Sequence, residues 1–75
     1  MLRNGPYRFF FYSHETNEPA HIRVGRDRSS AKFWLDPVTL ACNSGFSRSE
    51  IRRIQRVVRD REREFMAAWD AWFEP

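Results

Sequence analysis

The apolar pattern changes period once, at Ser47. Before that point, apolar and aromatic residues come in short alternating runs; after it, they recur every three or four residues almost to the end. With 75 residues and one such change, the chain has room for a sheet-forming part and a helix-forming part that cover each other. A second lobe does not fit, so residues 1–75 are read as one domain.

The alternating part reads as strands, because runs rich in aromatic and β-branched residues are separated by clusters of turn formers. Three runs stand out, at about 7–13, 21–26 and 30–35. Glu15 to Pro19 connects the first two, and Arg26 to Ser29 turns the chain before the third. Asp36-Pro37 ends that third run, since proline lacks the donor a ladder requires. Val38 to Ala41 adds either a short strand or a turn of helix, and Asn43, Ser44 and Gly45 supply loop chemistry. Asn43 is read as a turn residue, and Cys42 as a small buried hydrophobe.

The helical part opens with Ser47 and Glu50 in capping-box spacing. One long helix is expected over about 47–73, with Ile51, Ile54, Val57, Val58, Phe65, Ala68, Trp69 and Trp72 on one arc. Phe65 and Trp69 project from it onto the sheet. The predicted fold is therefore α+β: a three-stranded antiparallel sheet followed by one long C-terminal helix packed on one face.

The same angular arithmetic gathers Arg48, Arg52, Arg56, Arg59 and Arg63 into a stripe beside the apolar arc. Its span is roughly 22 Å at ~1.5 Å per residue, a length suited to several phosphates or an acidic groove. It also runs against the helix dipole, which favours acids in the first turn, whereas Asp60, Glu62, Glu64, Asp70 and Glu74 lie toward the other end. A bland alternative makes the stripe a solvated face, compensated by Arg56–Asp60 and Arg59–Glu62 pairs.

Alternation along the strands puts Phe9, Phe11, Ile22, Val24, Ala31, Phe33 and Leu35 toward the helix. The opposite face then carries Arg8, Phe10, Tyr12, His21, Arg23, Lys32 and Trp34. Cations mixed with rings suit single-stranded nucleic acid, in which bases stack and phosphates are neutralised. The alternative is a second apolar patch, with the cations at its rim and another subunit or the termini over it.

Chemistry beyond binding has few candidates. His14, His21 and Tyr12 could converge at a hairpin end for acid–base cleavage of RNA. Two histidines and one cysteine at unrelated spacings match no metal site, three glycines form no phosphate-cradling loop, and no cofactor is implied. The net charge of +3 is modest and each half is nearly balanced. A lone cysteine fits a reducing compartment, the longest aromatic-apolar run is far too short to span a membrane, and the N-terminal residues lack the apolar stretch of a secretion signal. The expected location is the cytoplasm. A composition 41% hydrophobic and 16% aromatic excludes a disordered chain, but a chain this short buries only roughly 60% of its unfolded surface. It relies on its large aromatic residues or shares a face with a partner.

Four stretches carry a family resemblance: RFFFYS at 8–13, EPAHIRV at 18–24, AKFWLDPVTLACNSGF at 31–46, and the helix beginning SRSEIRRI. On these the sequence resembles a widespread bacterial family of small proteins, the domain-of-unknown-function family 4160. Where its members often read Pro-Pro-His-Val-His, this chain has Pro19-Ala20-His21-Ile22-Arg23, so the second histidine of a His-x-His pair is Arg23. The resemblance implies a candidate component of a toxin–antitoxin module. The expected function is a non-catalytic binding module of a regulatory or toxin–antitoxin pair, contacting nucleic acid or an acidic protein partner through the arginine stripe. The alternatives are a small ribonuclease toxin using His21 with Arg23 and Tyr12, and an obligate dimer of structural role. Partners would be a cognate small protein or a second copy, with no membrane.

Overall fold

The structure is a computed structural model, describing residues 2–12 and 17–73. It is α+β, but with five strands and two helices rather than three and one: β1 (Leu2–Asn4), β2 (Tyr7–Phe10), β3 (His21–Arg26), β4 (Ser29–Leu35), β5 (Val38–Ser44), α1 (Arg48–Asp60) and α2 (Glu62–Phe73). The strands form one antiparallel sheet in the order β1-β2-β3-β4-β5. The first expected strand is shorter than its apolar run, ending at Phe10, and Ser13 lies outside the described residues.

Both additional strands are edges joined by two-residue turns. Gly5 and Pro6 connect β1 to β2, with Gly5 at φ 58° and Asn4 opposite Tyr7. Asp36 and Pro37, joined by a cis peptide, connect β4 to β5, with Leu35 opposite Val38. β5 extends through Asn43 and Ser44 because they pair with Ala31 and Ser30, and this ladder overrides their loop propensity. One extra residue, Ala41, forms a bulge where Phe33 pairs with Leu40 and Lys32 with Cys42.

Pairing register confirms the inner face. Phe9, Val24 and Ala31 lie in one row across three strands, and with Ile22, Phe33, Leu35 and Val38 they pack against Ile51, Ile54, Val58 and Phe65. The rings of Phe9 and Phe65 stack with centroids 5.6 Å apart. Trp69 is buried beside Phe11 at 5.4 Å and Phe73 at 4.2 Å. Trp72, expected on the core arc, is instead 63% exposed and meets only the edge of this cluster, at Phe11.

Arg61 explains the division of the helix. Ile51, Ile54, Val58 and Phe65 follow steps of three and four residues, and the missing member of that series is position 61. Continuing the helix unchanged would aim a guanidinium at the core. The backbone departs to φ −114°, ψ 19° at Arg61, whose side chain turns to Glu64 at 3.1 Å. The hydrogen bonds from Arg61 N–H to the Val57 carbonyl and from Phe65 N–H to the Arg61 carbonyl keep the two segments joined.

The strand-to-helix corner is specified side chain by side chain. Asn43 Nδ2 donates to the Phe46 carbonyl at 3.0 Å while its Oδ1 accepts from Phe46 N–H at 3.1 Å. Gly45 sits at φ 102°, where a Cβ would lie 2.6 Å from Ser29 Oγ and 3.3 Å from Ser29 Cα. Ser47 caps α1, its Oγ accepting from Glu50 N–H.

Two stability measurements check these assignments. Phe65→Ala should lose about 3–5 kcal/mol, enough to unfold so small a domain near room temperature; an unchanged melting temperature would mean the α2 face is misassigned. Gly45→Ala should lose about 1–3 kcal/mol, because a side chain there meets both an unfavourable φ and the Ser29 backbone. Chemical denaturation reads both.

Candidate functional site

The start of α1 decides where its arginines stand. With Ser47 as the cap, Arg48 falls in the first turn and Arg52, Arg56 and Arg59 follow along one side; all four are exposed. Arg63 is exposed too, but belongs to α2, so the stripe crosses the break at Arg61. Its α1 portion extends about 17 Å. Arg52, Gln55, Arg56, Arg59 and Asp60 line a shallow groove of about 300 Å³.

Among the described residues, ion pairs involving Arg or Lys are Arg26–Glu50, Lys32–Glu18 and Arg61–Glu64, so none of the five stripe arginines is neutralised. Neither the Arg56–Asp60 nor the Arg59–Glu62 pair forms. The helix break also changes the dipole argument. Arg59 lies in the last turn of α1, and Glu62 and Glu64 in the first turn of α2, which are the favourable ends for each sign. What remains against the dipole is Arg48 with Arg52 behind it.

Glu50 is the acid available in that first turn, but its charge goes elsewhere. Its Oε2 lies 2.8 Å from Arg26 Nη1 and accepts from the Tyr7 hydroxyl at 3.2 Å. The Arg26 guanidinium also stands over the rings of Tyr7 and Phe46, each at 5.8 Å. Half of the capping box therefore forms, through Ser47, while Glu50 ties the helix to β2 and β3. Spacing within the helix gave no signal for this long-range bridge.

The outer sheet face gathers its residues as alternation requires. Phe10, Arg23, Lys32 and Cys42 form one row across four strands, and Arg8 lies opposite Gly25. These groups largely satisfy one another. Arg23 lies over the Tyr12 ring at 5.0 Å, Tyr12 packs edge-on to Phe10, and Lys32 lies over Trp34 at 4.8 Å. Lys32 Nζ donates to Glu18 at 2.9 Å, and its side chain is only 13% exposed. Arg8 and Tyr12 remain exposed, while Phe10, Arg23 and Trp34 are half-buried.

His21 pairs with Trp34 in the ladder but is 0% exposed. β2 stops opposite Arg23, so past that point the start of β3 has no β2 neighbour, and the His21 ring packs 4.8 Å from Trp69 on α2. Its Nδ1 lies 3.0 Å from the Pro19 carbonyl; since a carbonyl only accepts, Nδ1 carries the proton. Glu18 Oε1 is 3.6 Å away. In this position the imidazole is fully buried. His14 lies outside the described residues.

Two other features were not foreseen. Cys42 is exposed rather than buried, because β5 is an edge strand and its partner Lys32 faces outward. Pro19, Ala20, Trp34, Asp36, Pro37, Thr39 and Met66 line an open, mostly apolar groove of about 470 Å³ at one end of the sheet. Among the described residues no three His, Cys, Asp or Glu side chains are grouped to hold a metal ion, and no helix is long and apolar enough to cross a membrane.

No curated protein and no solved structure matches the chain. The family model described as "Domain of unknown function (DUF4160)" matches residues 7–70, and the chain belongs to that family.

Proposed function

We propose that this member of the DUF4160 family is a binding module that takes the phosphate backbone of a nucleic acid along the arginine stripe of α1. The observation that carries this reading is the set of exposed arginines on one side of α1 with no carboxylate within ion-pair distance among the described residues. Cations four residues apart repel by a few tenths of a kcal/mol per pair, and Arg48 adds an unfavourable term at the positive end of the helix. An anion removes both. Guanidinium groups also present planar donor forks suited to phosphate oxygens.

The outer sheet face supports a lesser role, because Lys32 and Glu18 already neutralise each other and the rings are capped by cations of the same chain. The burial of His21 favours binding over RNA cleavage.

Fluorescence anisotropy with labelled single-stranded RNA, single-stranded DNA and duplex DNA, at several salt concentrations, tests the reading. Each neutralised phosphate adds roughly 0.7–0.9 to the slope of log affinity against log salt. Arg52→Ala with Arg56→Ala should therefore weaken binding and flatten that slope by about 1.4–1.8 units. The double variant should melt no lower than wild type, since alanine favours the helix. Unchanged affinity and slope would overturn the proposal, as would a nuclease-resistant acidic protein copurifying at fixed stoichiometry in place of nucleic acid.

A further inference from the structure

The stripe does not hold every exposed arginine of α1. Arg53 is exposed as well, and among the described residues it has no carboxylate within ion-pair distance. At about 100° per residue, Arg48, Arg59, Arg52 and Arg56 fall within about 80°, and Arg53 lies about 60° beyond Arg56, on the side of Glu50. Arg53 takes no part in the groove formed by Arg52, Gln55, Arg56, Arg59 and Asp60. The buried Ile51, Ile54 and Val58 occupy the reverse side of the helix, so the crest between Arg53 and the stripe points away from the sheet. α1 contains no aromatic residue. Of the exposed rings, Tyr12 packs with Phe10 and Arg23 on the other face of the sheet, and Trp72 lies at the far end of α2.

We propose that the nucleic acid taken by α1 is B-form duplex DNA, with the helix seated along the major groove, the stripe on the phosphates of one strand and Arg53 on those of the other. This deepens the phosphate-binding reading and rests on it. A single strand is held by bases stacked on aromatic side chains as well as by cations along its backbone, and α1 offers cations alone. A duplex keeps its bases stacked on one another and presents phosphates outward. Width selects the groove, since a helix with its side chains is about 10–12 Å across, which fits the B-DNA major groove of about 12 Å and not the minor groove of about 6 Å. The A-form major groove is deep and narrow, so an RNA duplex does not admit the same helix. Arginines on both sides of the crest complete the match. A single strand lying along the stripe leaves Arg53 without a phosphate, whereas a groove has a backbone on each side.

Charge also sets the extent of the contact. The net charge of +3 favours a polyanion at longer range, and the α1 portion of the stripe, about 17 Å long, covers about five base-pair steps at about 3.4 Å each. Past the helix break, α2 carries Glu62, Glu64 and Asp70 against Arg63. Those carboxylates repel phosphates, so the contact stops near Arg61.

Fluorescence anisotropy with a labelled DNA duplex of about 12 base pairs, longer than this footprint, with each of its strands alone and with the RNA duplex of the same sequence, tests the seating. At one salt concentration the DNA duplex should bind wild type at least about tenfold tighter than either strand or the RNA duplex, a comparison that needs no variant to fold. Arg53→Ala should flatten the DNA-duplex slope of log affinity against log salt by about 0.9 and leave the slope on each single strand unchanged. Arg53→Lys, which keeps the charge, should retain the duplex slope. The alanine variant should melt no lower than wild type, since alanine favours the helix. The inference fails if a single strand or the RNA duplex binds as tightly as the DNA duplex. It fails equally if Arg53→Ala leaves the duplex slope where it was, or flattens the single-strand slope by the same amount. In each of those cases, weakened binding by the variant carrying Arg52→Ala with Arg56→Ala leaves the stripe reading standing without the groove. Absence of binding to every probe sinks both.

Discussion

The corner between β5 and α1 sets the phase of everything that follows it. A helix turns about 100° per residue, so starting α1 one residue earlier or later would rotate Ile51, Ile54 and Val58 away from the sheet, and in one of the two directions would carry the arginines toward the core. Three local devices remove that freedom. Asn43 clamps both backbone groups of Phe46, Gly45 takes a conformation that its neighbour Ser29 denies to any side chain, and Ser47 receives the Glu50 amide. Phe46, buried against Tyr7 with ring centroids 6.0 Å apart, anchors the corner to the core. The exposure of Arg48, Arg52, Arg56 and Arg59 is thus fixed by residues that touch none of them.

Much of the middle of the fold is legible in the sequence, because β2, β3, β4 and the helical region bury apolar residues on one face at the period of their own backbone. The edges are not. β1 has a single apolar residue, Leu2, so its presence was signalled only by Gly5, a glycine where a two-residue hairpin needs positive φ. β5 contains Asn43 and Ser44, whose local preference is for turns, and only pairing with β4 makes them strand. The helix break was visible in principle, as a charged residue, Arg61, standing in an otherwise apolar series. It is easily passed over because no glycine or proline marks it.

The candidate site divides along the same line. The arginine stripe follows from helical periodicity, a property local to the sequence, and the structure retains its α1 portion. The outer sheet face followed from alternation, which gave the rows correctly but not their environment. Glu18 comes from the connection before β3 to neutralise Lys32, and His21 rounds the end of β2 to meet Trp69. Both depend on where a connection and a helix end lie in space. Cross-strand neighbours are legible from the pattern, whereas the groups that arrive from outside the sheet are not.

Arg26 links the sheet to the arginine-bearing helix. It follows Gly25 at the end of β3 and draws the carboxylate of Glu50 across to the sheet, where Tyr7 also binds it. That bridge fastens α1 to β2 and β3, yet it also commits the acid that would otherwise lie beside Arg48 and offset the positive end of the helix. The Arg26 Nε is buried without a hydrogen-bond partner among the described residues, so the bridge leaves one donor of this guanidinium unsatisfied. A chain selected only for stability could place a second acid at Ser49 or Gln55 and relieve the stripe through pairs three or four residues apart. This one leaves those positions neutral and holds its acid elsewhere, so the positive potential of the helix end and of the arginines adds along α1. The unneutralised field is the feature that packing does not require, and it is the observation on which the proposed binding of an anion rests.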